Sequence, residues 1–228
     1  MPKTEPEPLT KEEVDKIIEL SAKSPFYYIL FNLAKYTGRR LGEFYGVEKK
    51  EVIGEKVVGK KKVYTDSGNQ IEVDKKVHIY KATGKFEYGM KVKDFIETDS
   101  GEFYIRTWVL KRRNYIQDET HIPQHVGKLL KRYIRENKLG LEDYLFRKVS
   151  YRAIQNAVNS FAKQAGIKKN ASFHSFRHYF VTSLLKKGWS HDKIAKITGH
   201  KSVQSISSYD HVLSSDLKDK LNEDLTDI

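Results

Sequence analysis

The segment Phe173-His174-Ser175-Phe176-Arg177-His178-Tyr179-Phe180 combines an apolar helical face with clustered polar side chains. Phe173, Phe176 and Phe180 recur at helical spacing, which predicts that this face packs on the core. His174 and Arg177 are three residues apart, so they project from one side of the helix. An arginine fork beside a histidine donor can clamp a phosphate. A core histidine next to a surface arginine explains the same pattern equally well, so other segments must decide.

A second polar segment lies further along the chain, at Gly199-His200-Lys201-Ser202, and Tyr209 follows nine residues after His200. A tyrosine can attack phosphorus as a covalent nucleophile when nearby cations neutralise the phosphate. The stretch from Ile194 to Val203 also resembles a helix-turn-helix, which would make the protein a DNA reader without chemistry. Both interpretations stay open at this point.

A third segment, Thr37-Gly38-Arg39-Arg40-Leu41-Gly42-Glu43, places two arginines after a glycine turn. Glu43 follows Arg40 by one helical turn, so Arg40 could contact a phosphate while Glu43 orients a neighbouring group. An exposed ion pair at this spacing would instead stabilise the helix by only about 0.2–0.5 kcal/mol.

The charge distribution favours a polyanionic partner. The 228 residues carry a formal net charge of +12. Residues 1–20 carry −3 and residues 210–228 carry −4, so residues 21–209 hold +19. A basic body of this kind is typical of nucleic-acid binding, although a lysine-rich solvated surface in a heat-adapted or archaeal host predicts the same composition.

Several other function classes are excluded or disfavoured. Cysteine is absent, which excludes disulfides, zinc ribbons and a thiol nucleophile. The segment from Gly54 to Lys61 resembles a phosphate loop until Lys61, where Ser or Thr should hold Mg²⁺. His174 and His178 could bind a metal as a pair, but Ser175 replaces the glutamate of a zinc-protease motif and no third ligand is evident.

The patterns along the chain predict helices, then an inserted sheet, then more helices. Thr10 begins a capping box, and helices are predicted at 26–36, 40–45, 124–137, 150–165, 173–187, 190–198 and 202–209. Residues 51–122 alternate or cluster apolar residues between turn signals, including Gly54, Gly59 and Gly84, which predicts one small antiparallel sheet. Leu213, Leu217, Leu221 and Leu225 form an apolar stripe on an acidic tail.

Taken together, the three polar segments resemble the catalytic domain of the tyrosine recombinase (phage integrase) family. The family pattern, T-G-x-R-x-x-E, then H-x-x-R, then G-H and a tyrosine nine residues later, is matched in order and spacing. The resemblance covers about residues 9–212. It implies a mainly α (α+β) fold: a helical catalytic domain with a small inserted antiparallel β-sheet.

The resemblance also implies roles for individual residues. Tyr209 would attack the scissile phosphodiester and become a 3′-phosphotyrosyl. The transition state would be stabilised by Arg40 and Arg177, with His200 donating to the phosphate. The remaining roles fall to His174, as proton acceptor or donor, and to Glu43, which would support the arginines. Such a cationic set implies no metal and no other cofactor.

A lysine on a β-hairpin is the family's general acid for the leaving 5′-oxygen. Lys111 is the candidate here, with Arg112, Arg113 and Lys85 as rivals, because the turn before His121-Ile122-Pro123 is longer and more charged than the family pattern. The β region from Val57 to Gly101 is also longer than expected, and it would either add DNA contacts or hold a partner.

The expected organisation is a lead or linker remnant at 1–8, the catalytic domain at 9–212 with its extended β region at about 51–122, and a tail helix at 213–228. The lead is short compared with the core-binding domain that family members usually carry, so a catalytic fragment and a minimal member both remain possible. Expected partners are double-stranded DNA and further copies of the chain, which would form dimers or tetramers with the tail at 213–228 as the candidate contact. The setting would be a mobile element acting in the DNA-associated cytoplasm, without a membrane.

Three other functions compete with a recombinase. One is type IB topoisomerase-like relaxation, which uses the same chemistry without strand exchange. A second is a non-catalytic helix-turn-helix binder. The third is a metal-dependent nuclease built on His174 and His178.

Overall fold

The computed structural model describes residues 8–64, 70–109, 116–200 and 202–210. These residues divide into two compact units. The smaller unit is Val47–Glu87, and the larger unit contains the chain on either side of it. None of the helices in the described ranges has the length and apolar character that crossing a bilayer would require.

Three helices open the larger unit: α1 (Lys11–Ser21), α2 (Pro25–Thr37) and α3 (Leu41–Tyr45). The predicted capping box at Thr10 is confirmed, because its hydroxyl accepts from the Glu13 N–H at 3.2 Å and the Glu13 carboxylate accepts from the Thr10 N–H at 2.8 Å. Gly38 ends α2 with a φ of +61°, a left-handed conformation that glycine adopts without steric cost. The chain therefore turns sharply before Arg40.

A three-stranded antiparallel sheet follows in the larger unit, with strand order β3 (Phe95–Glu97), β4 (Phe103–Val109) and β5 (Ile116–Ile122). A tight turn at Ser100-Gly101 joins β3 to β4, and in it the Gly101 N–H donates to the Thr98 carbonyl. Along β4 the inward residues Phe103, Ile105 and Val109 are buried. This alternation is what one covered face of a sheet requires.

Five helices complete the larger unit: α4 (Gln124–Glu136), α5 (Tyr151–Gln164), α6 (Phe173–Lys186), α7 (His191–Thr198) and α8 (Gln204–Ser207). Ser150 caps α5 by accepting from the Ala153 N–H at 3.2 Å. Gly166, Gly188 and Gly199 all adopt positive φ, which confirms the predicted helix ends. The last predicted helix was too long: α8 is a single turn.

The core forms where α2 and α6 cross. Phe31 on α2 lies 5.2 Å from Phe176 and 6.4 Å from Phe173 between ring centroids, and all three rings are buried. Phe180 packs over Gly38, where an added Cβ would lie 2.5 Å from the Phe180 ring. The prediction that the Phe173 face anchors this helix is therefore confirmed, and the packing holds α6 against the turn that precedes Arg40.

The smaller unit is a two-stranded antiparallel ribbon of β1 (Val47–Tyr64) and β2 (Gln70–Glu87). The prediction of one sheet with turns at Gly54, Gly59 and Gly84 was wrong, because these glycines lie inside the long strands. They sit at or beside register shifts in the pairing, where an extra residue on one strand forms a bulge. The α+β fold class is confirmed, but its β structure consists of a ribbon and a separate sheet.

Candidate active site

Arg177 is the centre of the site. Its side chain is fully buried, although arginine is among the residues least often buried without partners. Its Nη1 donates to the Gly38 carbonyl at 2.9 Å, and its Nη2 donates to the Thr198 carbonyl at 2.7 Å. The guanidinium therefore joins the end of α2 to the end of α7. Two of the predicted segments, those of Arg40 and His200, begin at these helix ends.

His200 lies directly beside this guanidinium. Both of its ring nitrogens are 3.1 Å from Arg177 Nη2, and Nδ1 is 2.5 Å from the Thr198 hydroxyl. That hydroxyl also bonds the Ile194 carbonyl, one turn earlier in α7. Gly199, with a φ of +66°, turns the chain between the helix and the histidine. The Thr198-Gly199 end of α7 thus fixes the imidazole against Arg177.

Arg40 follows the Gly38 turn and precedes α3. Its backbone N–H donates to Glu43 Oε2 at 2.7 Å, and its Nη1 lies 3.5 Å from Oε1 of the same carboxylate. The Glu43 side chain is 1% exposed and that of Arg40 is 19% exposed. Glu43 therefore holds both the backbone and the side chain of Arg40 from within the fold, while part of the guanidinium still reaches solvent.

The charges of these groups act on one another. Burial, followed by the positive charge of Arg40, lowers the pKa of Arg177 to about 9. Glu43 and Tyr209 oppose this effect, and Arg39 adds to it. Residues from all three predicted segments are therefore close enough to influence a single guanidinium. At neutral pH this guanidinium is still charged, but it is poorly compensated, which is the electrostatic condition that favours an incoming anion.

Tyr209 lies in the apolar interior of the larger unit. Its side chain is buried in an apolar cluster with Val181, Leu185, Ile194 and Ile206. Its ring centroid is 5.2 Å from that of His178, and it contributes to the electrostatics of Arg177. Within the described chain, Tyr209 is therefore close enough to Arg177 to act on its charge.

His174 is connected to Tyr209 by the ring of His178, which contacts both residues. It is exposed near the start of α6, and its centroid is 4.7 Å from His178, whose ring in turn contacts Tyr209. His174 and His178 line a small surface pocket beside Leu9. Within the described ranges, no group of three or more His, Asp or Glu side chains could hold a metal ion.

Lys111 and its rivals Arg112 and Arg113 lie outside the described residues. The paired ends of the hairpin around them are described, with Val109 opposite Ile116. The fourth candidate, Lys85, is an exposed residue of β2 in the ribbon. The leucine-striped tail at 213–228 and residues 1–7 also lie outside the described residues.

Arg39 is a site residue whose importance the sequence pattern did not indicate. It is 1% exposed, and its Nη2 donates to the Asp118 carboxylate and the Thr120 hydroxyl of β5, each at 2.6 Å. An added Cβ at Gly199 would lie 3.6 Å from Arg39 Nη1. Nε and Nη1 are buried and have no hydrogen-bond partner in the described structure. Arg39 therefore ties the turn before Arg40 to the β4–β5 hairpin, underneath Gly199.

The helix-turn-helix alternative does not match the fold at Ile194–Val203. The helix after the turn, α8, has four residues, so it is about 6 Å long. A recognition helix must lie along the major groove with several side chains on base edges. This short turn instead delivers Tyr209 to the apolar cluster.

A helical domain that gathers two arginines, a histidine and a tyrosine from three distant segments has the arrangement expected from the resemblance. The Phage integrase family profile matches residues 88–215, which is more than half of the chain. The chain belongs to this family.

Two curated relatives give the scale of the similarity. A tyrosine recombinase of Pseudothermotoga lettingae is 32% identical over 97 residues, covering 41% of this chain and 34% of its own length. Tyrosine recombinase XerA of Saccharolobus solfataricus is 30% identical over 106 residues, covering 46% of this chain and 33% of its own. The matched part is thus about one third of the length of these relatives.

Solved structures share the fold. A XerA recombinase crystal structure aligns with a TM-score of 0.63 at 22% identity, covering 98% of this chain and 66% of that chain. XerH site-specific recombinase bound to its difH substrate aligns with a TM-score of 0.60 at 20% identity, covering 90% of this chain and 50% of that chain. At these identities the likeness concerns the fold alone.

Proposed function

We propose that this chain is the DNA-breaking and rejoining domain of a site-specific tyrosine recombinase or integrase. It would act through a 3′-phosphotyrosyl intermediate and need neither metal nor ATP. The observation that carries the proposal is the buried Arg177 guanidinium, which bonds Gly38 and Thr198 and contacts His200. Membership of the phage integrase family supports the same chemistry.

The reaction is a transesterification at phosphorus. The Tyr209 phenol loses its proton to a base and attacks the scissile phosphorus. The new P–O bond to tyrosine replaces the bond to the 5′-oxygen, which leaves with a proton from an acid. Because the phosphotyrosyl bond is an ester like the one broken, a second 5′-hydroxyl can reverse the step without an external energy source.

The site residues divide this work by position. Arg40 and Arg177 place positive charge beside the phosphate, where negative charge grows in the transition state, and removing one such donor typically costs about 10²–10³ in rate. His200 donates to a phosphate oxygen. His174 exchanges the proton of the Tyr209 phenol. The His178 ring lies between the His174 ring and the Tyr209 ring. Lys111 is proposed as the acid for the 5′-oxygen.

The proposed substrate is double-stranded DNA, and the proposed acting form is a dimer or tetramer on that DNA. The net charge of +12 supports a polyanionic partner. Among the structural neighbours, XerH recombinase is bound to its difH substrate and a lambda integrase dimer is bound to a core site. We propose the tail at 213–228 as the contact between copies, and an intracellular location with the host DNA follows from the substrate.

A nicked suicide substrate tests the reaction class and the nucleophile together. Cleavage near a nick frees a short fragment that carries the 5′-hydroxyl. This fragment diffuses away, so the covalent complex cannot religate and accumulates. We would incubate the full chain with a pool of nicked duplexes of randomised sequence and isolate adducts that resist SDS. Mass spectrometry of the adduct should place the DNA on Tyr209, and Tyr209→Phe should bind DNA but form no adduct.

The alternatives predict different outcomes. A pure DNA binder gives no adduct with either protein. A metal-dependent nuclease cleaves without an adduct and stops when EDTA is added. A type IB topoisomerase forms the same adduct but relaxes a supercoiled plasmid that lacks paired sites. An adduct on a residue other than Tyr209 would overturn the assignment of the nucleophile.

A further inference from the structure

The β1–β2 ribbon has two faces with different charge patterns. Directly opposed residues of an antiparallel pair share a face, and faces alternate along a strand. The register places the even-numbered residues of β2 from 70 to 82 on one face and the odd-numbered residues from 71 to 81 on the other. We call these the even face and the odd face, and each residue of β1 belongs to the face of its partner.

On the even face, opposite charges stand across from each other. Lys60 is opposite Asp74 and Lys62 is opposite Glu72. His78 is opposite Glu55, with Nδ1 3.2 Å from a carboxylate oxygen. Lys76 also approaches Glu55, at 3.9 Å. This face therefore neutralises its own charge within the ribbon.

On the odd face, Lys81 is opposite Glu51, but the lysines further along the ribbon stand across from valines. Lys61 is opposite Val73 and Lys56 is opposite Val77, while Lys75 occupies the position between these two pairs on β2. The three lysines are exposed and make no ion pair among the described residues. Two residues of strand separate successive positions, which is about 7 Å. The odd face thus carries a row of three uncompensated cations flanked by aliphatic side chains.

This pattern specifies the chemistry of a partner. An exposed lysine row without counter-ions favours a polyanion, and closely spaced charges favour one with regular anionic sites. A second copy of the ribbon would place lysine against lysine. Duplex DNA has the required anion density, and its major groove accommodates a two-stranded β-ribbon. The strands have 18 residues each, so the ribbon is about 60 Å long.

We propose that the odd face of the ribbon is a DNA-binding surface, in which Lys56, Lys61 and Lys75 contact backbone phosphates independently of base sequence. The proposal rests on the proposed DNA substrate of the chain. It assigns an interaction to the β region whose role the sequence left open, and it adds a contact outside the Arg177 site.

The two faces provide a matched experiment. The odd-face variant carries Lys56→Gln, Lys61→Gln and Lys75→Gln, and the even-face variant carries Lys60→Gln, Lys62→Gln and Lys76→Gln. Both remove three positive charges from the same element. We would measure the affinity of each full-length variant for a 60-base-pair duplex at several salt concentrations, in a Tyr209→Phe background so that cleavage plays no part.

Each phosphate-bound lysine contributes about 1 to the slope of log affinity against log salt. The odd-face variant should therefore lose about 3 from the slope, whereas the even-face variant should lose much less. Equal slopes for the two variants would overturn the proposal. So would an odd-face variant that keeps its slope but changes oligomeric state in sedimentation, since that result assigns the face to protein association.

A second readout locates the contact directly. A photo-crosslinking amino acid at position 77 lies on the odd face, and the same residue at position 78 lies on the even face. We expect crosslinks to DNA from position 77 in preference to position 78, and the reverse preference would contradict the proposal. Both tests measure binding, so they are separate from the adduct test of Tyr209, and either proposal can fail while the other holds.

Discussion

At the scale of single residues, the site depends on buried arginines with incomplete partners. Arg39 and Arg177 are both almost fully buried, and each retains at least one buried nitrogen without a hydrogen-bond partner in the described structure. Keeping such a charge in the interior opposes folding. The buried positive charge in the site therefore lowers the stability of the fold. An anion bound there would offset this loss of stability.

The Arg39–Asp118 pair makes this cost measurable. Asp118→Ala removes the carboxylate and leaves the Arg39 charge buried, so we expect a loss of about 3 kcal/mol in unfolding free energy. Arg39→Met removes the charge itself and keeps the aliphatic stem, so we expect a change within about 1 kcal/mol. Urea unfolding of both variants tests the difference.

Glu119→Ala is the matched control for Asp118, because Glu119 is the next residue on β5 and pairs with Arg106 at the surface. Its loss should cost less than about 0.5 kcal/mol. An Asp118→Ala variant no less stable than Glu119→Ala would show that Arg39 does not depend on the carboxylate.

The lowered pKa of Arg177 predicts a pH dependence. The folded pKa of Arg177 is about 9, which is below the ordinary pKa of an arginine, so above pH 9 the folded chain holds fewer protons than the unfolded chain. The cost of the charge is therefore fully present below pH 9 and is relieved as pH rises above it. Cleavage needs the charged form, so adduct formation at low DNA concentration should decline above about pH 9.

A bound phosphate raises the pKa of Arg177, because it stabilises the cation. At saturating DNA the same decline should therefore occur at higher pH. Single-turnover adduct formation at both DNA concentrations provides the comparison. Identical pH profiles would mean that the phosphate does not contact Arg177.

At the scale of elements, the helices were predictable because their signals are local. The capping box at Thr10 and the glycines at 38, 166, 188 and 199 lie within a few residues of the helix ends they define. The ribbon was not predictable, because a glycine at a bulge and a glycine at a turn look the same in sequence. Distinguishing Gly54 and Gly59 from turns requires the partner strand.

The same distinction applies to the site. Arg40, Arg177, His200 and Tyr209 stand at fixed spacings within short motifs, so the sequence indicated them. The partner of Arg39 is 79 residues away in the chain, and no local pattern reveals it. His178 appeared in sequence as half of a metal pair, and only the packing of α6 places its ring against Tyr209.

The Gly38 turn combines two constraints that can be separated by mutation. Gly38→Ala forces alanine into a left-handed conformation and pushes a methyl group onto Phe180, 2.5 Å away. Gly166→Ala meets only the first constraint, since its φ is +74° and nothing lies within 4 Å. We expect Gly166→Ala to lose about 1–2 kcal/mol, and Gly38→Ala to lose more.

Gly38→Ala should also reduce adduct formation, because the Gly38 carbonyl accepts a hydrogen bond from Arg177. Thermal unfolding and the suicide-substrate assay measure the two effects. Equal stability losses for the two variants would mean that Phe180 yields without cost. Full cleavage by a folded Gly38→Ala protein would show that the Arg177 anchor tolerates displacement of this carbonyl.

At the scale of the whole molecule, the chain divides its charge between two tasks. The larger unit concentrates buried arginines around a single site, where desolvation makes each charge act strongly over a short range. The ribbon carries exposed lysines, which attract a polyanion over roughly the Debye length of about 8–10 Å and respond to salt. Under the proposed function, the first set performs chemistry and the second contributes affinity.

This division predicts that the ribbon can be removed. Its first and last residues, Val47 and Glu87, are direct strand partners, so their Cα atoms are about 5 Å apart. A Gly-Gly link in place of residues 47–87 can therefore join Gly46 to Tyr88. We expect the shortened chain to unfold cooperatively at a similar temperature, because the apolar core of α2, α6 and the three-stranded sheet lies entirely in the larger unit.

The shortened chain should still form the Tyr209 adduct on nicked DNA at low salt, and it should lose adduct formation at a lower salt concentration than the full chain. The comparison requires salt titrations of both proteins under single-turnover conditions. A shortened protein that folds but forms no adduct at any salt concentration would show that the ribbon takes part in the chemistry. Unchanged salt dependence would show that the ribbon contributes no phosphate contacts.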